Sequence, residues 1–199
     1  MRLGILLGAL VTAIALALLA RSIRPHPALP VYGQVPTFHF VDERGAPFTS
    51  ESMLGHVSVV DFVFTRCTSS CPRLTARLAE LQSRLDDKKS GARLVSFSVD
   101  PDNDTPPVLL QYAAHAHADP ARWSFVTGPP NDVIAAVTSG FKVSAARIAK
   151  GANDYDVTHG DWFVLVDRRG NVRGYYPMDE PQSLPTLLDD VLRLERVDR

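Results

Sequence analysis

The chain has 199 residues, of which 45% are hydrophobic and 22% charged, enough for one globular domain plus an appendage. Its 21 basic and 22 acidic residues nearly cancel and no Lys/Arg cluster stands out, which argues against a nucleic-acid partner. Its two cysteines are too few for a disulfide scaffold.

Residues 3–20 form an 18-residue apolar run broken only by Thr12. As a helix it would measure about 27 Å, against a hydrocarbon core of about 30 Å. A cleaved signal peptide and an uncleaved anchor compete for this run. It is long for a signal core, and the small-residue stretch Ala15-Leu16-Ala17 lies inside it rather than after it, so the anchor is favoured. Residues 1–24 are therefore expected to form one N-terminal transmembrane helix. Residues 25–35 follow as a Pro-rich tether, extended and semi-rigid, whose second half could equally be an arm packed on the domain. Residues 36–199 are the soluble domain.

In that domain, 38–41 and Phe48 flank the turn Asp42-Glu43-Arg44-Gly45 and predict an N-terminal hairpin. A helical turn is expected over 50–54, ended by Gly55. A near-continuous apolar run over 57–64 predicts a strand buried on both faces. Leu74, Leu78, Leu81 and Leu85 mark one face of a helix over 72–87. A strand over 94–99 leads through the loop 100–106 to a helix over 107–118 that buries Val108, Leu109, Tyr112 and Ala116. A strand over 123–127 and a helix over 131–140, with Val133, Ile134 and Val137 inward, come next. A polar loop is expected over 153–160. Strands over 162–166 and 172–176 form a hairpin, and a last helix over 183–195 carries Leu184, Leu187, Leu188, Val191 and Leu192 on one face. Strands and helices alternate, then a hairpin and a helix close the chain. That order predicts an α/β, thioredoxin-like mixed sheet flanked by helices, with an insertion before the final hairpin and helix.

Both cysteines lie where the strand over 57–64 hands over to the helix. Cys67 and Cys71 are four apart, a spacing that on a helix rises about 6 Å and shares one face. Such a pair can close a disulfide or, reduced, hold a soft metal. A helix N-terminus with Arg66 and Arg73 beside it favours the thiolate. Two buried structural cysteines are the plainer alternative. Two thiolates on a soft metal call for a further ligand, and imidazole suits. Among six histidines, His26 is in the tether, His39 points outward from a strand, His56 opens a strand, and His115 and His117 sit on a solvated helix end. His159 differs: it precedes an apolar strand at a sheet edge that could face the Cys loop. Asp61 lies mid-strand, six residues before Cys67, where burial would raise its pKa; satisfaction by hydrogen bonds at a sheet edge is the competing reading.

Five stretches occur in order: Thr65-Arg66-Cys67-Thr68-Ser69-Ser70-Cys71-Pro72, Ser98-Val99-Asp100-Pro101-Asp102-Asn103-Asp104-Thr105, Trp123-Ser124-Phe125-Val126-Thr127-Gly128, Tyr155-Asp156-Val157-Thr158-His159, and Phe163-Val164-Leu165-Val166-Asp167 with Gly170. Together they resemble the Sco/SenC proteins across the whole soluble domain. The resemblance implies a membrane-anchored, thioredoxin-like domain that binds one copper ion, Cu(I) or Cu(II), through Cys67, Cys71 and His159. It also implies a role in assembling the binuclear copper centre of cytochrome c oxidase. The implied partners are the copper-centre domain of oxidase subunit II and another periplasmic copper chaperone. Asp100 or Asp104 could be nearby acids, although Asp104 or Thr105 reads more simply as a helix N-cap. Two positions depart from the family pattern: Thr68, where Pro often follows the first cysteine, and Gly160, where Ser or Thr often follows the histidine.

Copper delivery makes this a metallochaperone rather than an enzyme. The alternative is a thiol–disulfide oxidoreductase acting on the oxidase site or another envelope protein, through a mixed disulfide. Asp61 supports that alternative, since thioredoxins place a buried acid beneath their active pair. No Pro precedes Trp162, where thioredoxins place a cis-proline, which weighs against a general thioredoxin role. A peroxidase is disfavoured, because nothing beyond the insertion points to peroxide. Only Met1 and Arg2 precede the apolar run, so the expected location is a bacterial inner membrane, single-pass, with the domain in the periplasm.

Overall fold

The computed structural model describes residues 28–149 and 155–197. The apolar run over 3–20, the anchor expectation for 1–24 and the first part of the tether lie outside the described residues. Among the described residues no helix is long and apolar enough to cross a membrane.

The strands are β1 (Gly33–Gln34), β2 (His39–Asp42), β3 (Pro47–Thr49), β4 (Ser58–Val63), β5 (Arg93–Ser98), β6 (Trp123–Thr127), β7 (Ala145–Ala149), β8 (Tyr155–His159), β9 (Trp162–Val166) and β10 (Asn171–Pro177). The helices are α1 (Cys71–Asp87), α2 (Pro106–His115), α3 (Pro130–Ala135) and α4 (Ser183–Val197). Eight strands form one mixed sheet in the order β1-β10-β9-β4-β5-β6-β2-β3, with β4, β5 and β6 parallel and the rest antiparallel. This mixed α/β architecture fits the thioredoxin-like expectation.

All six residues of β4 are buried, as the apolar run predicts. Its alternation serves two cores. Val59 and Val63 pack with Leu74, Leu78, Leu81 and Leu85 of α1, Leu109 of α2 and the apolar face of α4. Val60 and Phe62 face the other way, against Phe38, Phe40, Phe97, Phe141 and Val133. Each fully buried leucine contributes about 2 kcal/mol, so the four on α1 fix how that helix lies on the sheet.

Several elements differ from the sequence reading. Helix α2 ends at His115, because His117 adopts a left-handed φ of 52°. Its inner face is Leu109 and Ala113, while Val108, Tyr112 and Ala116 are only partly covered. The helix expected over 131–140 is α3 followed by a wider turn, Ala136–Gly140, in which the Phe141 amide donates to the Ala136 carbonyl. That turn takes Ala136 inward and leaves Ile134 partly covered. In α4 it is Leu194, not Leu192, that joins the core. The largest difference lies over 153–160. Tyr155–His159 is a strand, β8, paired antiparallel with β7 in a separate two-stranded sheet with Ala145 opposite His159. Residues 29–35 lie against the sheet edge as an arm: β1 pairs with β10, and Arg173 donates to the carbonyls of Leu29 and Pro30.

Candidate metal centre

Topology brings the site together. Because β4 and β5 are parallel, the loops after Val63 and Ser98 leave the same sheet edge. Because β9 runs antiparallel to β4, its beginning, and with it the end of β8, reaches that edge too. Cys71 opens α1 and is fully buried, with Pro72 in the first turn, where a missing amide hydrogen costs nothing. Cys67 lies before the helix, in keeping with a helix expected only from residue 72. It sits in the preceding turn, which folds back so that the Cys71 amide points at the Cys67 sulfur at 3.5 Å. Both thiols are free.

The site's central contact is Cys71 Sγ to His159 Nε2, 3.2 Å, made by residues 88 positions apart. The Phe64 ring stands edge-on to the imidazole at 5.7 Å. His159 Nδ1 lies 3.2 Å from the Gly160 carbonyl. The tautomer that donates Nδ1–H there leaves the Nε2 lone pair facing the thiol. Burial holds the His159 pKa below its usual range, so the ring is neutral and can donate that pair. Burial also pushes Cys67 up, but hydrogen bonds from the Ser69 hydroxyl and the amides of Cys71 and Ser69 outweigh it and bring the thiol down to about 7. Burial drives Cys71 the opposite way, well above the ordinary thiol range. The half-buried thiol is thus the ready thiolate and the buried one keeps its proton.

The three sequence candidates meet unequally. Cys71 and His159 touch, whereas Cys67 turns toward the Cys71 amide and Ser69. Among the described residues no three His, Cys, Asp or Glu groups form a ready metal cluster. The donor chemistry fits a soft ion, since two sulfurs and a neutral imidazole lie on adjoining backbone. His39, His115 and His117 are exposed, and neither His39 nor His56 is among the site's contacts.

Sequence reasoning offered Asp100 and Asp104 as possible nearby acids but favoured a helix cap, and did not foresee that they brace the Cys loop. Asp104 is fully buried, and its carboxylate accepts from the Thr65 amide (3.1 Å), the Thr65 hydroxyl (2.6 Å), the Ser98 hydroxyl (2.6 Å) and the Asn103 side chain (2.7 Å). Asp100, also buried, pairs with Arg66. The motif after β5 therefore holds the two residues before Cys67. Thr105 is the N-cap of α2, without a side-chain cap bond, and Asp104 is committed elsewhere. The only sequence signal was two acids spaced along a loop, which looks the same as capping.

Asp61 lies on an interior strand between β5 and β9, not at a sheet edge. Its Oδ1 accepts from the Ser96 hydroxyl, which in turn accepts from Trp123 Nε1 at 2.9 Å; its Oδ2 is buried without a partner. Burial raises its pKa from 3.8 to about 7. It shares the strand face of Val59 and Val63, against which Cys71 packs, and its charge acts on the Cys71 thiol.

The SCO1/SenC family model matches residues 31–194. The chain belongs to the SCO1/SenC family. Among solved structures, the SCO1/SenC family lipoprotein from Bacillus anthracis is 32% identical with a TM-score of 0.76, covering 83% of this chain and 97% of that one. BsSco, described as a member of the Sco family of cytochrome c oxidase assembly proteins and as having a disulfide switch, is 30% identical with a TM-score of 0.72, covering 84% and 97%. Yeast Sco1 with copper bound is 25% identical with a TM-score of 0.69, covering 82% and 89%.

Gly160, one of the two departures from the family pattern, has a local cause. A Cβ there would meet the Trp162 indole at 2.7 Å and Ser144 Oγ at 3.2 Å. The indole occupies the space that a Ser or Thr side chain would need. Thr68 is exposed in the Cys loop, and nothing in the structure explains why it replaces Pro.

Proposed function

We propose that this chain is a membrane-tethered copper carrier that delivers copper to the binuclear copper site of cytochrome c oxidase, on its subunit II, from the periplasmic face of a bacterial inner membrane. The observation that carries the reading is the 3.2 Å approach of Cys71 Sγ to His159 Nε2, with Cys67 in the turn beside it. Copper bound to a family member, yeast Sco1, supports the ion. Cys67, Cys71 and His159 are the ligands in this reading. The half-buried Cys67 is the group an acceptor thiolate exchanges with, because it can leave the ion without opening the core. Another periplasmic copper chaperone would supply the ion by the same exchange. The apolar run over 3–20 supplies the tether to the membrane.

The test is a Cu(I) competition titration of the reduced chain against a chelator, with Cys67→Ser, Cys71→Ser and His159→Ala. One tight equivalent weakened by every change is the expected result. Binding that ignores His159→Ala would overturn the three-ligand reading.

A second reading, thiol–disulfide exchange, rests on Asp61. The Cys67 thiolate would attack one sulfur of an acceptor disulfide, forming a mixed disulfide and releasing the acceptor's other sulfur as a thiolate. Cys71, giving its proton to Asp61, would then attack the Cys67 sulfur and displace the acceptor sulfur bound to it, leaving the acceptor reduced and the Cys67–Cys71 pair oxidised. Regeneration would need an envelope dithiol. Exchange rates unchanged by Asp61→Asn would remove its support.

A further inference from the structure

Away from the thiols, a concave aromatic patch lies where the tether reaches the domain. A cavity of about 530 Å³ is lined by Tyr32, Lys142, Val143, Ser144, Trp162 and Tyr175, none of them acidic. Tyr32 and Tyr175 meet edge-to-face at 5.4 Å. Tyr32 is 49% exposed, its neighbour Val31 59% and Trp162 37%, in a protein whose other tryptophan, Trp123, is 1% exposed. Lys142 donates one hydrogen to the Tyr32 carbonyl at 3.0 Å, leaving two ammonium hydrogens free for another acceptor.

We infer that this patch is a lipid-docking face, on which Trp162, Tyr32 and Tyr175 enter the bilayer interface while Lys142 meets lipid phosphate. The inference rests on the membrane-tether reading above. Tryptophan, tyrosine and lysine together form the composition of a membrane–water interface. Chain length supplies the occupant. Only eight residues, 21–28, separate the apolar run from the first arm residue that Arg173 holds, and whatever their conformation they reach at most about 29 Å. Tyr32 follows three residues later on β10's edge, so the end of the domain bearing the patch is the end nearest the lipid. A patch this small is weak by itself. Tethering raises its effective concentration at the surface to the millimolar range, which lets a weak contact persist.

The patch is also joined to the metal centre. Trp162 packs on Gly160, the residue after His159, and its amide donates to the Gly160 carbonyl at 3.1 Å. Docking would therefore bring the end of β8, which carries His159, close to the membrane. The absence of a side chain at Gly160 is what permits the Trp162 packing.

The test uses the full chain reconstituted in phospholipid vesicles whose acyl chains are brominated either near the headgroup or near the chain end. Flotation with the vesicles reports the tether, and quenching of tryptophan emission reports docking. The expected result is flotation, with emission lost to the shallow bromines more than to the deep ones. Trp162→Phe should abolish the quenching and leave the buried Trp123 emission unchanged, which also reports an intact fold. The pair Tyr32→Ser and Lys142→Glu should abolish it while flotation persists. A chain that floats with Trp162 unquenched overturns docking and leaves the tether standing. A chain that does not float overturns both. Quenching that survives the Tyr32 and Lys142 changes, or appears only when an oxidase copper-centre domain is added, also overturns lipid docking.

Discussion

Replacing Asp61 by Asn isolates the energetic effect of burying a carboxyl under the thiol pair. In the native chain Asp61 titrates near 7 rather than 3.8, so the folded state holds a proton that the unfolded state has released across that range. A raised carboxyl pKa contributes stability that is fully present below the unfolded value and lost as pH rises through the folded one. Stability should therefore fall from about pH 4 to about pH 7, with a slope approaching 1.4 kcal/mol per pH unit and a total of about 4 kcal/mol, then level off. Asp61 has no solvent exposure, so screening does not reduce this figure. Asn keeps an oxygen to accept from Ser96 and leaves a polar group where Oδ2 has no partner, at a pH-independent cost of about 1–3 kcal/mol. The variant should thus be no more stable than the parent near pH 4 and more stable above pH 7. Urea unfolding of the reduced chain in detergent from pH 4 to 9 measures this. Parallel stability curves for parent and variant would refute the reasoning, since they would mean that Asp61 titrates alike in both states.

With Cys67 brought to about 7 and Cys71 driven up by burial, iodoacetamide should label Cys67 with a rate that rises through pH 7 and leave Cys71 unlabelled; mass spectrometry of the timed reaction identifies the thiol. Asp104→Ala strands the amide and hydroxyl of Thr65 and the hydroxyl of Ser98, and should cost about 3 kcal/mol in urea unfolding while speeding hydrogen exchange at Thr65. Gly160→Ser should push the indole off its seat, since a Cβ would stand 2.7 Å from Trp162; the exposed fraction of tryptophan emission should shift to the red, with the Trp123 fraction unchanged.

The central elements were legible because their signals are strong and local. The run over 57–64 and the leucine spacing on α1 leave few alternatives, and β6 falls where the apolar stretch Trp123–Thr127 predicted it. The hairpin that delivers His159 was not legible. Ala145–Ala149 is largely alanine, a weak strand former, and Tyr155–His159 carries polar residues that read as loop. These strands form by pairing with each other, information that no single stretch holds. Cys67 and Cys71 stood out as the chain's two cysteines, whereas His159, one of six histidines, was singled out by its place before an apolar strand and by the family resemblance. Their supports, Asp100 and Asp104, stood only as possible nearby acids beside a favoured cap reading, because an aspartate bracing a loop from a distance of 39 positions looks in sequence like an ordinary helix cap.

The separation of His159 from Cys71 by 88 positions bears on what unfolding does to the centre. An unfolded chain keeps the CxxxC pair together but has no imidazole beside it, so folding is what adds the third donor. An ion that uses all three donors favours the native state and raises stability by RT ln(1 + [L]/Kd), whereas an ion content with two thiolates also binds the denatured chain and raises it less. The shift in melting temperature on adding a metal thus ranks ions by how far each depends on His159. The protein's own stability becomes a gauge of selectivity, with His159→Ala as its zero.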